Sequence, residues 1–392
     1  MTAARAPARP GRRTVLILGA LSALAPLALD MYLPGLPALT RQLGAPAATG
    51  QLTLTACLLG LALGQLVVGP VSDAAGRRGP LAAGLALNVV ATAGCALAPS
   101  IWTLIALRFV QGAAGGVGIV IARAVVRDLY GGAEAARVFA ALMLVLGVAP
   151  VFAPLAGGAV LKVTSWRGVF WLLALIGVAL LAATLAGLPE SLPPGERHRG
   201  GLGSVARTFG ALARDRRFVP HALCFSLAFA ALFAYIAGSS FVLEDVYGAS
   251  PQAYSVVFAV NSAALIGLSQ LSGHLVGRVG PRRLLRAGLA LAVVSGVATL
   301  AATLAHASLA LLLACLVVLV GSNGLIVPNA TALALADQRD RAGSASALLG
   351  LGQFGLAAAV APLVGLGGSR TAIPMGIVIA ACVVAAAAVE IR

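Results

Sequence analysis

Charge is scarce in this sequence of 392 residues. Only 10% of the residues are charged, against about a quarter in ordinary soluble domains, and 60% are hydrophobic. No water-soluble fold buries so much apolar surface, so the composition excludes a soluble globular protein and indicates lipid as a second solvent. Aromatic residues are also few, at 5%, and the apolar mass consists of Ala, Leu and Val. Such residues favour helices that pack closely in a membrane.

Acidic residues are scarcer than basic ones, 12 against 27, which leaves a net charge of +15. This positive charge does not indicate nucleic-acid binding, because the arginines lie in short runs between apolar segments and form no single patch. The five cysteines all fall within apolar segments, and neither they nor the four histidines have the spacing of metal ligands. We therefore predict no metal or other cofactor and no enzyme activity.

Twelve apolar stretches are long enough to be membrane spans. They cover approximately residues 14–37, 50–71, 80–98, 101–126, 138–161, 168–188, 218–242, 252–275, 284–304, 308–329, 343–366 and 372–389. The longest polar stretch, 189–217, is predicted to be a cytoplasmic linker between six-helix bundles at 1–188 and 218–392. Gly69–Arg78 after span 2 recurs as Gly273–Arg283 after span 8, which supports two related halves. The predicted fold is an all-α integral membrane protein with twelve transmembrane helices in two bundles around a central cavity.

The arginines indicate the orientation of the chain. Most lie in the N-terminal tail, in the linker, and in loops on the same side of the membrane as these two segments. Because basic loops stay in the cytoplasm, both termini are predicted to be cytoplasmic.

Two charged residues lie well inside predicted spans, Asp30 in span 1 and Arg108 in span 4. Each lies about 10 Å below the outer end of its span, at 1.5 Å per residue, so they share one depth in one half. Charges in hydrocarbon are costly and must face protein or water. One alternative is a fixed ion pair that orients helices. The other, which we favour, is a carboxylate that binds and releases protons beside a cation.

The loop after span 2 combines glycines with charges that are typical of a cytoplasmic gate. Glycine permits a tight turn, and Asp and Arg can form ion pairs or cap a helix N-terminus. The predicted gate residues are Gly69, Asp73, Gly76, Arg77, Arg78 and, from the next cytoplasmic loop, Asp128.

Span 5 contains Pro150, Pro154, Gly157 and Gly158 within nine residues. Prolines bend a helix and glycines admit a close neighbour, so this segment is either ordinary kinked packing or a hinge in a conformational change.

Polar and aromatic residues inside spans are candidates to line a substrate cavity. Those selected are Tyr32, Phe109, Gln111, Tyr235 and Asn261.

These segments resemble a known family. The loop Gly69-Pro-Val-Ser-Asp-Ala-Ala-Gly-Arg-Arg78 resembles the cytoplasmic signature of the major facilitator superfamily. Arg108-Phe-Val-Gln-Gly112 is similar to the span-4 motif of its proton-coupled members, and Ala149–Gly158 to the span-5 antiporter motif, with Ala153 where many members have Gly. Leu29-Asp-Met-Tyr-Leu-Pro-Gly-Leu-Pro37 and Leu188–Pro194 resemble the bacterial Bcr/CflA drug-resistance subfamily.

The resemblance implies a monomeric drug:proton antiporter in the bacterial cytoplasmic (inner) membrane. It would export small drug-like molecules such as chloramphenicol- or bicyclomycin-type compounds, with Asp30 and Arg108 in proton coupling. The second half has Gly277 where Asp73 would align, so its loop lacks the acid of the signature. Two alternatives remain. One is a metabolite exporter or an uptake symporter on the same fold, and the other is a membrane enzyme or sensor.

Overall fold

The computed structural model describes residues 12–197, 209–338 and 342–391, and the regular structure of these ranges is helical. Twelve of its helical segments are long and apolar enough to cross a membrane, which confirms the predicted fold class. The helical segments, numbered as spans 1–12, are Arg12–Gln42, Ala47–Ala75, Arg78–Leu97, Ile101–Leu129, Gly132–Val160, Trp166–Gly187, Val219–Val246, Pro251–Val279, Pro281–Leu304, Leu309–Leu335, Ala342–Val364 and Ile373–Ile391. Part of the predicted N-terminal bundle (1–11), part of the linker (198–208) and the C-terminal residue lie outside the described residues. The boundaries of the two bundles stay a prediction.

Three of the spans have a serine N-cap. Spans 4, 6 and 8 begin after Ser100, Ser165 and Ser250, whose hydroxyl oxygens each accept a backbone N–H of the first turn. This bond satisfies one of the free donors at a helix N-terminus.

The helix of span 1 is interrupted directly after Asp30. Its first helix ends at Asp30, a 3-10 turn covers Leu33–Gly35, and a second helix covers Leu36–Gln42. Pro34 explains the break, because proline has no N–H to donate to the carbonyl of Asp30 and disfavours helical backbone at the residue before it. Asp30 therefore lies at a helix end inside the protein, where the sequence-based prediction placed a continuous span.

The two halves, spans 1–6 and spans 7–12, contact each other along two pairs of helices. Span 2 packs against span 11, and span 5 against span 8. Thr55 donates a hydrogen bond to the carbonyl of Ala358 (3.0 Å), and Ser255 donates one to the carbonyl of Pro154 (2.8 Å). We call the end where spans 1 and 7 finish the distal end, and the opposite one the linker end.

The distal end is closed by bonds between the halves. The carboxylate of Asp245 accepts from Arg41 at 2.7 Å, and Gln51 donates to the carbonyl of Ala237 at 3.1 Å. Gln252 donates to the carbonyl of Gly158 at 3.1 Å. These three bonds connect the two halves at the distal end.

Candidate functional site

A cavity of about 630 Å³ lies between the two halves. Its lining includes Asp30 and Asn261 and, nearer the linker end, Arg123 and Ser346. Both charged lining residues, Asp30 and Arg123, come from the first half. The aromatic lining residues all come from the second half and are Phe225, Phe229, Phe233, Tyr235, Phe258 and Phe354. The two walls of the cavity therefore differ in chemistry.

Asp30 is the carboxylate of this cavity. Its side chain lines the wall, yet the residue is only 5% exposed. Within the described residues it accepts no hydrogen bond, and no nitrogen of Arg108 lies within 4.0 Å of its oxygens. The two groups still interact electrostatically. The direct ion pair considered from the sequence is therefore not formed, and the carboxylate has no bonding partner to give up when it binds a proton.

Arg108 is fully buried and is held by other groups. Its Nη1 donates to the carbonyl of Ala28 (2.8 Å) and to Oε1 of Gln111 (2.6 Å). Its guanidinium carbon lies 4.3 Å from the centre of the Tyr32 ring, a cation–π distance. Nη2 has no partner among the described residues.

Three of the five predicted cavity residues lie elsewhere. Tyr32 and Gln111 are buried against Arg108, as the contacts above show, and do not line the cavity. Phe109 is 38% exposed and does not line it either. Gln111 follows Arg108 by three residues and faces it on the same side of span 4. Phe109, the next residue after Arg108, points to a different face.

Tyr235 and Asn261 do line the cavity, on spans 7 and 8. Asn261 donates from Nδ2 to the Tyr235 hydroxyl at 2.6 Å, and each residue is 1% exposed. The Tyr235 ring stacks on Phe258, with ring centres 6.0 Å apart. Oδ1 of Asn261 has no partner among the described residues.

The predicted gate residues form one network at the linker end, centred on Arg77. Arg77 is 3% exposed and donates from Nε to Asp128 at 2.8 Å. Its Nη1 donates to Asp73 and to the hydroxyl of Ser72. Arg78 donates to the carbonyl of Leu185 at the end of span 6. The network ties span 2 to the ends of spans 4 and 6.

The two glycines of the loop differ in what they do. Gly76 has a φ of +94°, a conformation that favours glycine, and a Cβ there would meet Glu190 and Arg197. Gly69 has open space where a Cβ would lie, so no close helix approach requires glycine there in this conformation.

Glu190 completes the network and was not among the predicted site residues. Its carboxylate accepts the backbone N–H of Arg77 (2.7 Å) and of Arg78 (3.2 Å), where span 3 begins. An anion at a helix N-terminus is favourable. Burial acts to raise the pKa of Glu190, but hydrogen bonds from the backbone N–H groups of Arg77, Leu192 and Arg78 outweigh it and hold that pKa below its ordinary value. The start of the linker is thereby bonded to Arg77 and Arg78 of the predicted gate.

We expect Glu190→Gln to loosen the start of the linker. Because the folded pKa is lowered, the attachment in the wild type is present above the ordinary pKa of glutamate and is lost as the pH falls through the lowered value. Limited trypsin digestion at neutral pH should cut after Arg197 several-fold faster in the variant. Glu134→Gln, an exposed acid in the first turn of span 5, is the control and should leave the rate unchanged. Equal rates in all three proteins would contradict this role of Glu190.

The span-5 motif forms contacts at the distal end. A Cβ on Gly157 would overlap the backbone carbonyl of Met31, next to Asp30, and a Cβ on Gly158 would overlap the side chain of Ser255 in the second half. Pro150 lines the cavity, and the carbonyl of Pro154 accepts from Ser255. The motif therefore touches span 1 and span 8 at once.

The sequence model of the Major Facilitator Superfamily matches residues 18–362. This chain belongs to the major facilitator superfamily. It is 41% identical over 362 residues to the uncharacterized MFS-type transporter YdgK of Bacillus subtilis, covering 92% of this chain and 90% of that protein. It is 31% identical to a bicyclomycin resistance protein homolog of Haemophilus influenzae, covering 94% and 93%. It is 32% identical over 291 residues to a chloramphenicol resistance protein of Pseudomonas aeruginosa, covering 74% and 68%.

These relatives confirm the resemblance to transporters of the drug-resistance type, and the chain is a multi-pass membrane transporter of small substrates. Solved structures agree on the fold of this superfamily member. An inward-facing, occupied bacterial homolog of the human lysosomal transporter Spinster matches with a TM-score of 0.76 at 18% identity, covering 96% and 95% of the two chains. The xylose transporter XylE of E. coli, partially occluded and inward open, matches with a TM-score of 0.74 at 13% identity, covering 96% of each chain.

Proposed function

We propose that this transporter exports small drug-like molecules from bacteria in exchange for protons, with Asp30 as the group that carries the proton. The single observation that supports this most is the position of Asp30. It is a buried carboxylate on the wall of the central cavity with no ion pair or hydrogen bond among the described residues. Such a carboxylate can bind a proton without breaking a hydrogen bond or an ion pair, and its proton affinity depends on burial and on nearby charges.

The proposed cycle uses alternating access of the two halves. The described conformation is closed at the distal end, and the cavity extends toward the linker end, which we assign to the cytoplasm with both termini. Substrate enters the cavity while Asp30 is deprotonated. After the distal end opens, Asp30 takes a proton from outside and substrate leaves. The proton is released to the cytoplasm when the linker end opens again.

The proton gradient supplies enough free energy for such export. One charge crossing 100 mV gives about 2.3 kcal/mol, and one pH unit gives about 1.4 kcal/mol. Together they sustain a gradient of roughly several hundredfold for a neutral substrate with one proton per cycle.

The aromatic residues that line the cavity in the second half favour apolar, ring-bearing substrates. Phe225, Phe229 and Phe233 follow one another at four-residue spacing on one face of span 7, and Phe229 lies 5.9 Å from Phe354 edge to face. Rings bind such surfaces by stacking and edge contacts. The relatives named as a bicyclomycin resistance protein homolog and a chloramphenicol resistance protein support small drug-like substrates.

Transport by purified protein in proteoliposomes tests this function. With the linker end facing outward and the lumen acid, labelled chloramphenicol should accumulate in the lumen, and a protonophore should abolish the accumulation. Cells that express the protein should show raised inhibitory concentrations in an antibiotic panel. Accumulation only when the gradient is reversed would indicate uptake by symport, and no pH dependence with any substrate of the panel would refute proton exchange.

A further inference from the structure

Arg123 is the basic side chain in the lining of the central cavity. It lies in span 4, six residues before the last helical residue of that span, Leu129. Within the described residues it forms no ion pair and no hydrogen bond. The two buried arginines, Arg77 and Arg108, are by contrast each bonded to several protein groups. The protein therefore leaves the N–H donors of the Arg123 guanidinium available to a ligand.

The position of Arg123 differs from that of an arginine that serves only membrane orientation. Arg127 lies one helical turn nearer the end of span 4, is exposed, and does not line the cavity. Arg123 shares the cavity-lining face of the helix with Ile119, one turn before it. A charged side chain that faces a cavity from within a transmembrane segment is typical of a substrate or ion pathway. The two arginines therefore form a natural pair of test residue and control.

Arg123 lies at the depth of the first aromatic residue of the opposite wall. By a rise of 1.5 Å per residue it is about 9 Å from the end of span 4, and Phe225 is about 9 Å from the start of span 7. Both of these helix ends belong to the linker end, and both helices are continuous over these stretches. Phe229 follows Phe225 one turn deeper and also lines the cavity. A cation on one wall thus lies across from the beginning of an aromatic surface on the other.

The negative charge of the cavity, Asp30, lies much deeper. Arg108, which interacts electrostatically with Asp30, precedes Arg123 by fifteen residues in the continuous helix of span 4. This spacing corresponds to about 22 Å along the helix axis. A negative charge on a substrate is attracted to Arg123 and repelled by deprotonated Asp30. The two lining charges therefore orient an anionic substrate with its charged group toward the linker end.

The remaining polar residues near Arg123 do not select for charge. Gln65, Thr331, Ser346 and Gln353 line the cavity and are uncharged. Amides and hydroxyls both donate and accept hydrogen bonds, so they bind neutral and ionised groups alike. No acid other than Asp30 is among the described lining residues, so none competes with a substrate for Arg123.

Resting on the proposed function, we infer that Arg123 selects substrates that carry an anionic group, a carboxylate in particular, on an apolar ring system. The guanidinium donates paired N–H bonds to the two carboxylate oxygens, a geometry that an uncharged side chain does not reproduce. The rings of the substrate lie on Phe225 and Phe229. Arg123 is then a specificity-determining residue, separate from the proton-carrying Asp30, and neutral substrates bind by the aromatic contacts alone.

A pair of ligands with one shape and different charge tests this inference. Biphenyl-4-carboxylate and biphenyl-4-carboxamide have the same rings, and their binding to the purified protein in phosphatidylcholine nanodiscs is measured by calorimetry at low salt. The wild type should bind the carboxylate at least about tenfold more tightly than the carboxamide. Arg123→Gln should bring this ratio to within about twofold of one, through loss of carboxylate affinity. Arg127→Gln is the matched control and should keep the wild-type ratio.

A ratio near one in the wild type, or no binding of the carboxylate, would overturn the inference. So would a wild-type ratio in folded Arg123→Gln, or in Arg123→Met if the glutamine variant does not fold. The calorimetric ratio needs no proton gradient. Wild-type proteoliposomes without pH-driven accumulation of chloramphenicol would refute the proposed function instead, so the two failures are distinguishable.

Discussion

Asp30→Asn is expected to abolish transport against a gradient while the protein still folds and binds substrate. Asparagine matches aspartate in size but does not titrate, so no proton crosses with the cycle. In proteoliposomes with an imposed pH gradient, the ratio of chloramphenicol inside to outside should fall from the several-hundredfold limit above to about one. The resistance of cells that express the variant should fall to that of cells without the protein. Exchange of labelled for unlabelled substrate, which needs no net proton movement, should persist.

Glu244→Gln is the matched control for this substitution. Glu244 is a partly buried carboxyl group in span 7 that does not line the cavity. Its variant should keep most of the gradient-driven accumulation. If Asp30→Asn accumulates substrate as well as the wild type does, Asp30 is not the coupling group.

Gly157→Ala is expected to impair both folding stability and transport strongly. The added Cβ overlaps the backbone carbonyl of Met31, and a backbone atom of a packed span cannot move aside as a side chain does. Overpacking of this kind costs about 1–3 kcal/mol, and here it separates span 5 from the break in span 1 next to Asp30. The closed distal end should lose stability, so the thermal unfolding midpoint falls and transport drops by at least about tenfold.

Two further glycines of span 5 give a graded comparison. Gly158→Ala meets a side chain, that of Ser255, and should have an intermediate effect. Gly147→Ala has open space around the new Cβ and should leave the unfolding midpoint unchanged. Equal midpoints for all three variants would show that close packing at Gly157 does not hold the distal end together.

The spans, and the presence of a charge inside span 1, could be predicted because both follow from position along the chain. A charge within twenty apolar residues is visible in the sequence, but the break after Asp30 means that a constant helical rise does not fix its depth. The ion pair of Arg77 with Asp128 was also predictable, since the sequence places both residues at neighbouring span ends that are predicted to be cytoplasmic. The structure has this pair at 2.8 Å.

The direction of side chains at a given depth was not predictable. Tyr32 and Gln111 share the depth of Arg108 and were expected in the cavity, but the rotation of spans 1 and 4 turns them onto the guanidinium. Phe109 is turned away from the cavity for the same reason. Rotation about a helix axis depends on contacts with several neighbours, which no single apolar stretch encodes.

Two further features are indicated by the sequence itself. Pro34 and Pro37, four and seven residues after Asp30, indicate that span 1 is interrupted there. Glu190 lies three residues after the end of span 6, and an acid there is a candidate partner for the Arg77-Arg78 pair. Its role depends on the linker folding back to the start of span 3, a contact between residues more than a hundred positions apart.

Proton release on substrate binding is the most direct test of coupling through Asp30. Purified protein in weakly buffered detergent, near the pH midpoint of transport, should release protons when chloramphenicol is added, up to one per protein at saturation, as read by a pH dye. Asp30→Asn should bind chloramphenicol and release none. Release of equal size from Asp30→Asn, or substrate binding by the wild type without any release, would contradict a proton-binding role for Asp30.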